Sequence, residues 1–257
     1  MDSDLQRHKQ ARAKLGDATV LYEDNHLLAL YKPPGLLTQS AQRGDDNLLD
    51  RARGYLKIAY SKPGNVYVGL IHRLDRNVSG VVLLARTSKA SSRISKQFRE
   101  RSVGKAYAAL VEGRPPEAAT LKDVMGPEPN GRGMRRQADG KEASLSLRRL
   151  ECGVYAGKPR ALLLVSLHTG RKHQIRAQLT WAGYPLVGDP LYGVRVREIQ
   201  RPALHALRLV VRHPISGESI ALESALPSDM SRVASDAGIS AECLNDLLKA
   251  SSLRPLE

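Results

Sequence analysis

Charged and hydrogen-bonding side chains crowd together at residues 72–80. The run reads His-Arg-Leu-Asp-Arg-Asn-Val-Ser-Gly, and its single carboxylate, Asp75, lies between Arg73 and Arg76 in the sequence. Aspartate and arginine are rarely buried unless they are paired, so we expect this run to form a loop outside the core. A lone carboxylate with an arginine partner suits covalent or electrostatic assistance at the anomeric carbon of a sugar. No second acid is required there if the leaving group is retained and reused.

Two other chemistries fit this carboxylate less well. A metal nuclease needs clustered carboxylates and histidines at ligand spacing, and His72, Asp75 and Asp189 are too sparse for that. Ordinary glycoside hydrolysis needs two carboxylates flanking the bond, whereas only Asp75 lies in a suitable setting.

A second polar run lies at residues 169–179, where the sequence predicts the start of a helix. Its cationic members are Arg171, Lys172, His173 and Arg176. Ile175 and Leu179 are spaced to point inward from one helix face. The conspicuous polar groups therefore lie in separate loops, which is typical of a cleft assembled from the ends of several elements, with Asp75 as the natural partner of an arginine.

Hydrophobic patterning predicts the elements that carry these loops. The apolar residues 81–85 are typical of a fully buried strand that holds the Asp75 loop at its end. Residues 20–22 and 27–31 are short apolar runs around a turn composition, so they predict a β-hairpin. The two prolines that follow Lys32 remove backbone donors and fix φ, which predicts a rigid loop presenting that lysine.

Further along the chain, Ser88 is placed to cap an amphipathic helix with a basic stripe. Residues 105–113 predict a strand that carries Tyr107, and two more strands are predicted at 144–150 and 161–167. Residues 1–16 are polar and basic without apolar periodicity. We interpret 1–16 as a mobile basic N-terminal arm and 17–257 as a single catalytic domain.

The composition indicates a polyanionic partner. The 257-residue chain has 40 Lys and Arg against 26 Asp and Glu, a formal charge of +14. Nucleic acid is the first candidate and an anionic membrane surface the second, but the chain has neither an 18-residue apolar run nor a signal-peptide pattern. A cytoplasmic protein is therefore expected. A polybasic structural protein would share this charge but would rarely carry so much patterned apolar sequence. Cys152 and Cys243 fit neither a disulfide framework nor a zinc site.

Residues 72–80 resemble the HRLD-x-x-[TV]-SG signature of RluA-type pseudouridine synthases. Four further blocks agree in order. Residues 31–36 are similar to the KPxGL block of that family, 105–113 to its KxYxAxVxG strand, 169–176 to its TGRxHQIR block, and 183–193 to its GYPLVGDPLYG-type segment. Val78 and Gln178 depart from the residues that many members have at these positions, Thr and His. Only some sixteen residues precede the matched region, so we do not expect the N-terminal S4 module of many relatives.

The resemblance implies an α+β pseudouridine synthase fold: a mixed, mostly antiparallel sheet with flanking helices and a central active-site cleft. It also implies an isomerase that converts specific uridines of ribosomal or transfer RNA to pseudouridine. The base is detached from C1′, rotated and rejoined through C5, so no cofactor or metal is expected. A monomer is expected. The alternative is a catalytically silent RNA-binding or ribosome-assembly factor on the same scaffold.

By the same resemblance, Asp75 is the catalytic aspartate, Tyr107 is the ring against the target base, and Arg176 is the ion-pair partner of Asp75. Arg73 is implied to enter the RNA as the uridine leaves its stack, because a stacked base cannot be reached otherwise. Further RNA contacts are expected from His72, Lys32, Arg171, Lys172 and His173. Which RNA and which uridine are modified stays open at this point. It also stays open whether the aspartate forms a covalent adduct or only stabilises an intermediate.

Overall fold

The structure is a computed structural model that describes residues 2–42 and 44–252. These residues form two compact units. The first contains the chain up to Val103 together with Val210–Ser224, and the second contains Gly104–Leu209 together with the chain from Ala225 onward. No helix among the described residues is both long and apolar enough to span a membrane.

The chain contains six helices and eleven strands within its described part. In chain order they are α1 Asp2–Ala13, β1 Thr19–Glu23, β2 Leu27–Lys32, α2 Leu48–Ala59, β3 Gly69–Leu70, β4 Ser79–Ala85, α3 Ser88–Arg99, β5 Gly104–Glu112, β6 Ala118–Pro127, β7 Met134–Arg136, β8 Lys141–Tyr155, β9 Lys158–Leu167, α4 Gln174–Trp181, β10 Leu204–Arg212, β11 Ser219–Glu223, α5 Ser228–Asp236 and α6 Ala241–Ser252.

In the first unit, β2 is the centre of a small antiparallel sheet. It pairs with β1 on one side and with β4 on the other, and β3 pairs with β4. All seven residues of β4 are buried, which confirms the predicted buried strand. The β1–β2 hairpin is likewise confirmed, with Asp24 closing its turn by accepting hydrogen bonds from the His26 and Leu27 N–H groups, each at 2.7 Å.

The N-terminal segment, which its composition indicated to be a mobile basic arm, contains helix α1. Helix α1 packs against α2, and Ala11 and Leu15 are buried in the process. Arg51 of α2 donates from Nη1 to the Leu15 carbonyl at 2.8 Å and to Asp17 at 2.7 Å. These contacts pack Ala11 and Leu15 into the first unit, and the mobility of residues 1–16 stays a prediction.

Helices α2 and α3 have polar caps and one apolar face each. Asn47 caps α2 by accepting from the Asp50 N–H at 3.0 Å. Thr87, and not the predicted Ser88, caps α3 by accepting from the Ala90 N–H at 3.2 Å. In both helices the side-chain oxygen satisfies a backbone donor that has no partner inside the helix.

The second unit is built on a sheet in which the part of β10 up to Leu209 lies next to β5, followed by β9, β8, β6 and β7. The pairs from β5 to β7 are all antiparallel. Its β8–β9 hairpin is longer than the two predicted strands, and a bulge between Arg149 and Glu151 shifts the register. Helices α5 and α6 contribute apolar residues to the core of this unit, where they pack with the strands; its fully buried members include Ala108, Leu110, Leu162, Leu207 and Val233. The antiparallel pairing and the flanking helices agree with the predicted α+β class.

Candidate active site

Asp75 lies in the loop between β3 and β4, and its neighbours alternate between buried and exposed positions. Leu74 and Val78 are buried, Arg73 and Arg76 are exposed, and Asp75 itself is half-buried. The Val78 N–H donates to the Asp75 carbonyl at 3.1 Å, which closes a turn around the carboxylate. The loop is thus anchored by apolar side chains while its charged side chains face outward.

The residues on either side of Asp75 are hydrogen-bonded to the loop that follows β2. Thr38 Oγ1 donates to the Leu74 carbonyl at 2.9 Å and accepts from the Leu74 N–H at 3.2 Å. The Gly35 N–H donates to the Arg76 carbonyl and Arg76 Nε donates to the Gly35 carbonyl, each at 2.9 Å. The backbone is therefore fixed immediately before and immediately after the carboxylate.

Lys32 completes this arrangement, in a position that the sequence analysis did not foresee. The side chain is fully buried, and its Nζ donates to the carbonyls of Pro33 and Leu36 at 2.8 Å and of Arg76 at 2.9 Å. The predicted RNA contact of Lys32 is therefore wrong for this conformation, because the ammonium is inaccessible and its three donors have protein acceptors. The rigid Pro-Pro loop encloses the lysine instead of presenting it.

His72 and Arg73, both predicted to contact RNA, have opposite environments. His72 Nε2 accepts the Leu83 N–H at 3.0 Å, and its ring stacks on Phe98 with 5.1 Å between ring centroids. That nitrogen is thus engaged inside the protein. Arg73 is exposed, and no described residue forms a hydrogen bond or ion pair with its side chain. Arg73 thus presents its charge to solvent, whereas the RNA contact predicted for His72 stays a prediction.

In the second unit, Arg176 is held by a buried carboxylate. Its Nε and Nη2 donate to the two oxygens of Asp189 at 2.7 and 2.8 Å. Asp189 is fully buried and also accepts from the N–H groups of Leu191 and Tyr192. Burial by itself would raise the pKa of Asp189, but the Arg176 guanidinium and the two backbone donors outweigh it and hold the pKa below its usual range.

The backbone before Asp189 requires a glycine. Gly188 has φ +74, and a Cβ there would lie 2.4 Å from the Ile199 carbonyl oxygen. The sequence analysis had not predicted Asp189 as a partner of Arg176. The sequence signal for this pair was the Gly-Asp-Pro segment that follows α4, since a buried guanidinium such as that of Arg176 needs a carboxylate. The predicted pair between Arg176 and Asp75 stays a prediction.

The start of α4 is shaped by a buried amide. Gln174 Oε1 accepts from Thr169 Oγ1 at 2.8 Å and from the Arg171 N–H at 3.0 Å. His173 precedes it with φ +53, a left-handed conformation that is unusual for a residue other than glycine. Its Nδ1 lies 3.1 Å from the Tyr192 hydroxyl.

The remaining predicted residues are partly accessible. Arg171 donates to the Glu142 carbonyl and Lys172 to the Gly131 carbonyl, each at 2.9 Å, and both contacts lie at the surface. These side chains therefore rest against neighbouring strands and loops while they stay within reach of a ligand. Tyr107 lies on β5, half-buried, opposite Val165 of β9.

Comparison with known proteins identifies the fold and the family. The human RNA Pseudouridylate Synthase Domain Containing 4 superposes with a TM-score of 0.73 at 22% identity, covering 91% of this chain and 97% of that one. The human RNA Pseudouridylate Synthase Domain Containing 1 gives 0.68 at 25% identity, covering 94% and 97%. The predicted pseudouridine synthase fold is thereby confirmed.

Sequence relatives agree with the structural ones. A family model described as RNA pseudouridylate synthase matches residues 26–181. Ribosomal large subunit pseudouridine synthase D of Pseudomonas aeruginosa is 35% identical over 82% of this chain and 68% of its own length. The Bacillus subtilis protein named Uncharacterized RNA pseudouridine synthase YhcT is 31% identical over 84% and 70%.

Fold and sequence together define an RNA-modifying isomerase. The chain belongs to the RNA pseudouridylate synthase family, as its motifs had indicated. The alternative of a silent assembly factor receives no support from these relatives, which are named as synthases.

Proposed function

We propose that this enzyme isomerises uridines of ribosomal RNA, with Asp75 acting at C1′ of the target nucleotide. The observation that carries the proposal is the way the Asp75 loop is built: the residues before and after the carboxylate are fixed by Thr38, Gly35 and Lys32, while Asp75 stays half-accessible. A carboxylate that must attack or stabilise a sugar carbon needs a fixed position and an open approach.

The reaction exchanges one glycosidic bond for another. The C1′–N1 bond breaks, the uracil turns while it stays in the site, and a C1′–C5 bond forms. The hydrogen on C5 leaves to solvent and N1 gains a proton, so the product has the mass of the substrate. Asp75 either bonds to C1′ or balances its positive charge while the base is detached.

The other site residues have supporting roles in this proposal. Tyr107 lies against the target base, and Arg176, whose guanidinium is oriented by Asp189, is proposed as the ion-pair partner of Asp75. Arg73 enters the RNA as the uridine is extruded. Arg171, Lys172 and His173 contact the RNA backbone, in keeping with the charge of +14. Residues 17–257 act as one catalytic domain, in a monomer, in the cytoplasm.

Ribosomal RNA is proposed over transfer RNA because several relatives are named large-subunit synthases, among them that of Xanthomonas campestris, 33% identical over 84% of this chain. Total RNA from a strain lacking the gene, labelled with tritium at uridine C5, should release label into water when purified enzyme is added, also with EDTA present. Mapping of pseudouridines in that strain and its parent should show the missing site in the large ribosomal RNA. A missing site in transfer RNA would replace the proposed substrate. Tight RNA binding without release would favour the silent factor.

A further inference from the structure

A pocket in the first unit has no part in the site described above. Its volume is about 650 Å³, and it is lined by one face of α2 and by the segment that leads to β3. The lining residues are Arg53, Gly54, Lys57, Gly64, Asn65, Val66, Tyr67 and Val68. Ligand pockets commonly enclose about 300–1,000 Å³, so one nucleotide fits in this space.

The pocket has a cationic wall without a lining carboxylate among the described residues. Lys57 is exposed and forms no ion pair with any described residue. Arg53 pairs with Asp50 at 2.6 Å, but both side chains are about half exposed, at 46% and 57%. Exposed pairs of this kind contribute little, so Arg53 can turn to a phosphate at small cost.

The pocket lining also includes an aromatic ring. Tyr67 is 49% exposed in a chain of which only 4% is aromatic. Its hydroxyl is seated beside Gly69, where a Cβ would lie 2.9 Å from the hydroxyl oxygen and 2.7 Å from Ser91 Oγ. Gly69 therefore leaves room for one end of the ring, while about half of the side chain stays open to a ligand.

Two glycines line the pocket. Gly54 lies inside α2, where glycine is less favourable than alanine. A Cβ there would meet only the Lys14 side chain, at 3.7 Å or more, so packing does not demand the glycine. Gly64 has no atom within 4 Å of its Cβ position. Both glycines leave their lining positions without a side chain.

We propose that this pocket binds one unpaired nucleotide of the RNA substrate, with its base stacked on Tyr67 and its phosphate held by Lys57 and Arg53. Aromatic stacking beside a cationic groove is the general way in which proteins hold single-stranded nucleic acid without reading its sequence. The Asn65 amide offers one donor and one acceptor to a base edge. This inference rests on the proposed function, since it assigns an additional contact to the same RNA.

The test measures RNA affinity as a function of RNA length. Tyr67→Ala should raise the Kd for a long substrate RNA about tenfold, because a stacked base is lost. Tyr67→Phe retains the ring and should bind as the wild type does. Lys57→Met should lower the slope of log K against log salt by about one unit, whereas Lys57→Arg should restore it.

Two controls keep the outcome interpretable. Lys158→Met removes one charge from the exposed β8–β9 turn and should leave the salt slope nearer to the wild-type value. Thermal melts of each variant show whether the first unit still folds.

A crosslinking experiment tests the contact directly. RNA with 5-iodouridine at successive positions should crosslink to Tyr67 from one position other than the target.

The proposal is overturned if Tyr67→Ala, correctly folded, binds long RNA as tightly as the wild type and no position crosslinks to Tyr67. A wild type that binds RNA but releases no tritium from labelled uridine would instead overturn the proposed function. Crosslinking to Tyr67 could still be observed in that case, so the two failures are distinguishable. Equal losses on a short RNA that contains only the target and its immediate neighbours would assign Tyr67 to target binding and not to a separate nucleotide.

Discussion

The Asp75 loop and the start of α4 each fix one charged residue of the candidate site, Asp75 and Arg176, but through different contacts. Asp75 is fixed through the backbone of its neighbours, Leu74 and Arg76, whose partners are a hydroxyl, an ammonium and peptide groups. Arg176 is fixed through its own side chain, by two hydrogen bonds to buried Asp189. The contacts of its neighbours fix the position of Asp75 along the loop, whereas the contacts of its own side chain fix the direction of the Arg176 guanidinium.

The two regions also differ in how a buried charge is stabilised, at Lys32 beside the Asp75 loop and at Asp189 beside α4. Lys32 has three carbonyl acceptors in the described structure, whereas Asp189 has a guanidinium and two N–H donors. A full ion pair loses more when one partner is removed than a charge bonded to dipoles, because the remaining partner is itself a charge. Removal of Asp189 should therefore destabilise the protein more than removal of Lys32.

Asp189→Ala should give the largest loss of stability, on the order of 3–5 kcal/mol, because it removes the buried carboxylate that accepts two hydrogen bonds from the Arg176 guanidinium. Urea denaturation measures the loss. Asp229→Ala is the matched control: it breaks the Arg201 pair of the same unit, whose carboxylate is 34% exposed, and should cost less. Equal losses in the two variants would contradict the importance of burial at Asp189.

The same pair predicts a dependence on pH. Because the folded pKa of Asp189 lies below its ordinary value of about 4, the stabilisation is fully present above that value and is lost as the pH falls through the folded pKa. The stability difference between wild type and Asp189→Asn should therefore be constant from pH 7 to about pH 5 and shrink under more acidic conditions. A difference that grows on acidification would contradict the ion pair.

Lys32→Met should cost on the order of 1–3 kcal/mol, since it removes one donor each from the carbonyls of Pro33, Leu36 and Arg76, the last of which keeps the Gly35 N–H. We expect the turnover number to fall, because the Arg76 end of the Asp75 loop loses one of its hydrogen bonds, while the Kd for RNA at a temperature where the variant is folded stays unchanged. Lys89→Met, an exposed lysine of α3, should change neither stability nor turnover measurably. Weakened RNA binding with normal stability would restore the original assignment of Lys32 to RNA.

Thr38→Val preserves the shape of the side chain but removes both hydrogen bonds to Leu74. The expected loss is about 1 kcal/mol, together with a turnover number that falls more than KM rises. Chemical denaturation and steady-state rates measure these two effects. A variant with wild-type turnover would show that the Leu74 end of the loop does not position Asp75.

Arg73→Ala should leave stability unchanged, since no described residue bonds to this side chain. Its effect should appear on structured RNA, where we expect single-turnover rates to fall about tenfold, equivalent to about 1.4 kcal/mol. The same uridine with its neighbouring base pairs disrupted should be affected less. Equal losses on both substrates would count against base extrusion and in favour of a simple phosphate contact.

Much of the structure could be predicted from local pattern. The apolar runs gave the β1–β2 hairpin and β4 correctly, because period and turn composition are local signals. Helix α2 was not predicted, although Asn47 and the spacing of Leu48, Ala52, Leu56 and Ala59 were available as signals.

The environments of individual site residues were less accessible to sequence reasoning. Lys32 looks like a surface cation in the sequence, and Asp189 was not predicted as the partner of Arg176. The contacts that fix these two cations include residues more than ten positions away, the Arg76 carbonyl for Lys32 and the Asp189 carboxylate for Arg176. Charge and motif position identify such residues as important. Only the tertiary contacts distinguish a side chain that meets RNA from one that holds a loop.

The most direct test of the account is tritium release by Asp75→Asn. With RNA labelled at uridine C5, the wild type and the control Asp139→Asn, which alters an exposed carboxylate, should both release label. Asp75→Asn should bind RNA as tightly as the wild type, since one residue among 40 Lys and Arg side chains does not set the affinity, yet its rate should fall on the order of a thousandfold or more. Release by Asp75→Asn at a rate near that of the wild type would contradict the central claim that Asp75 is the catalytic carboxylate.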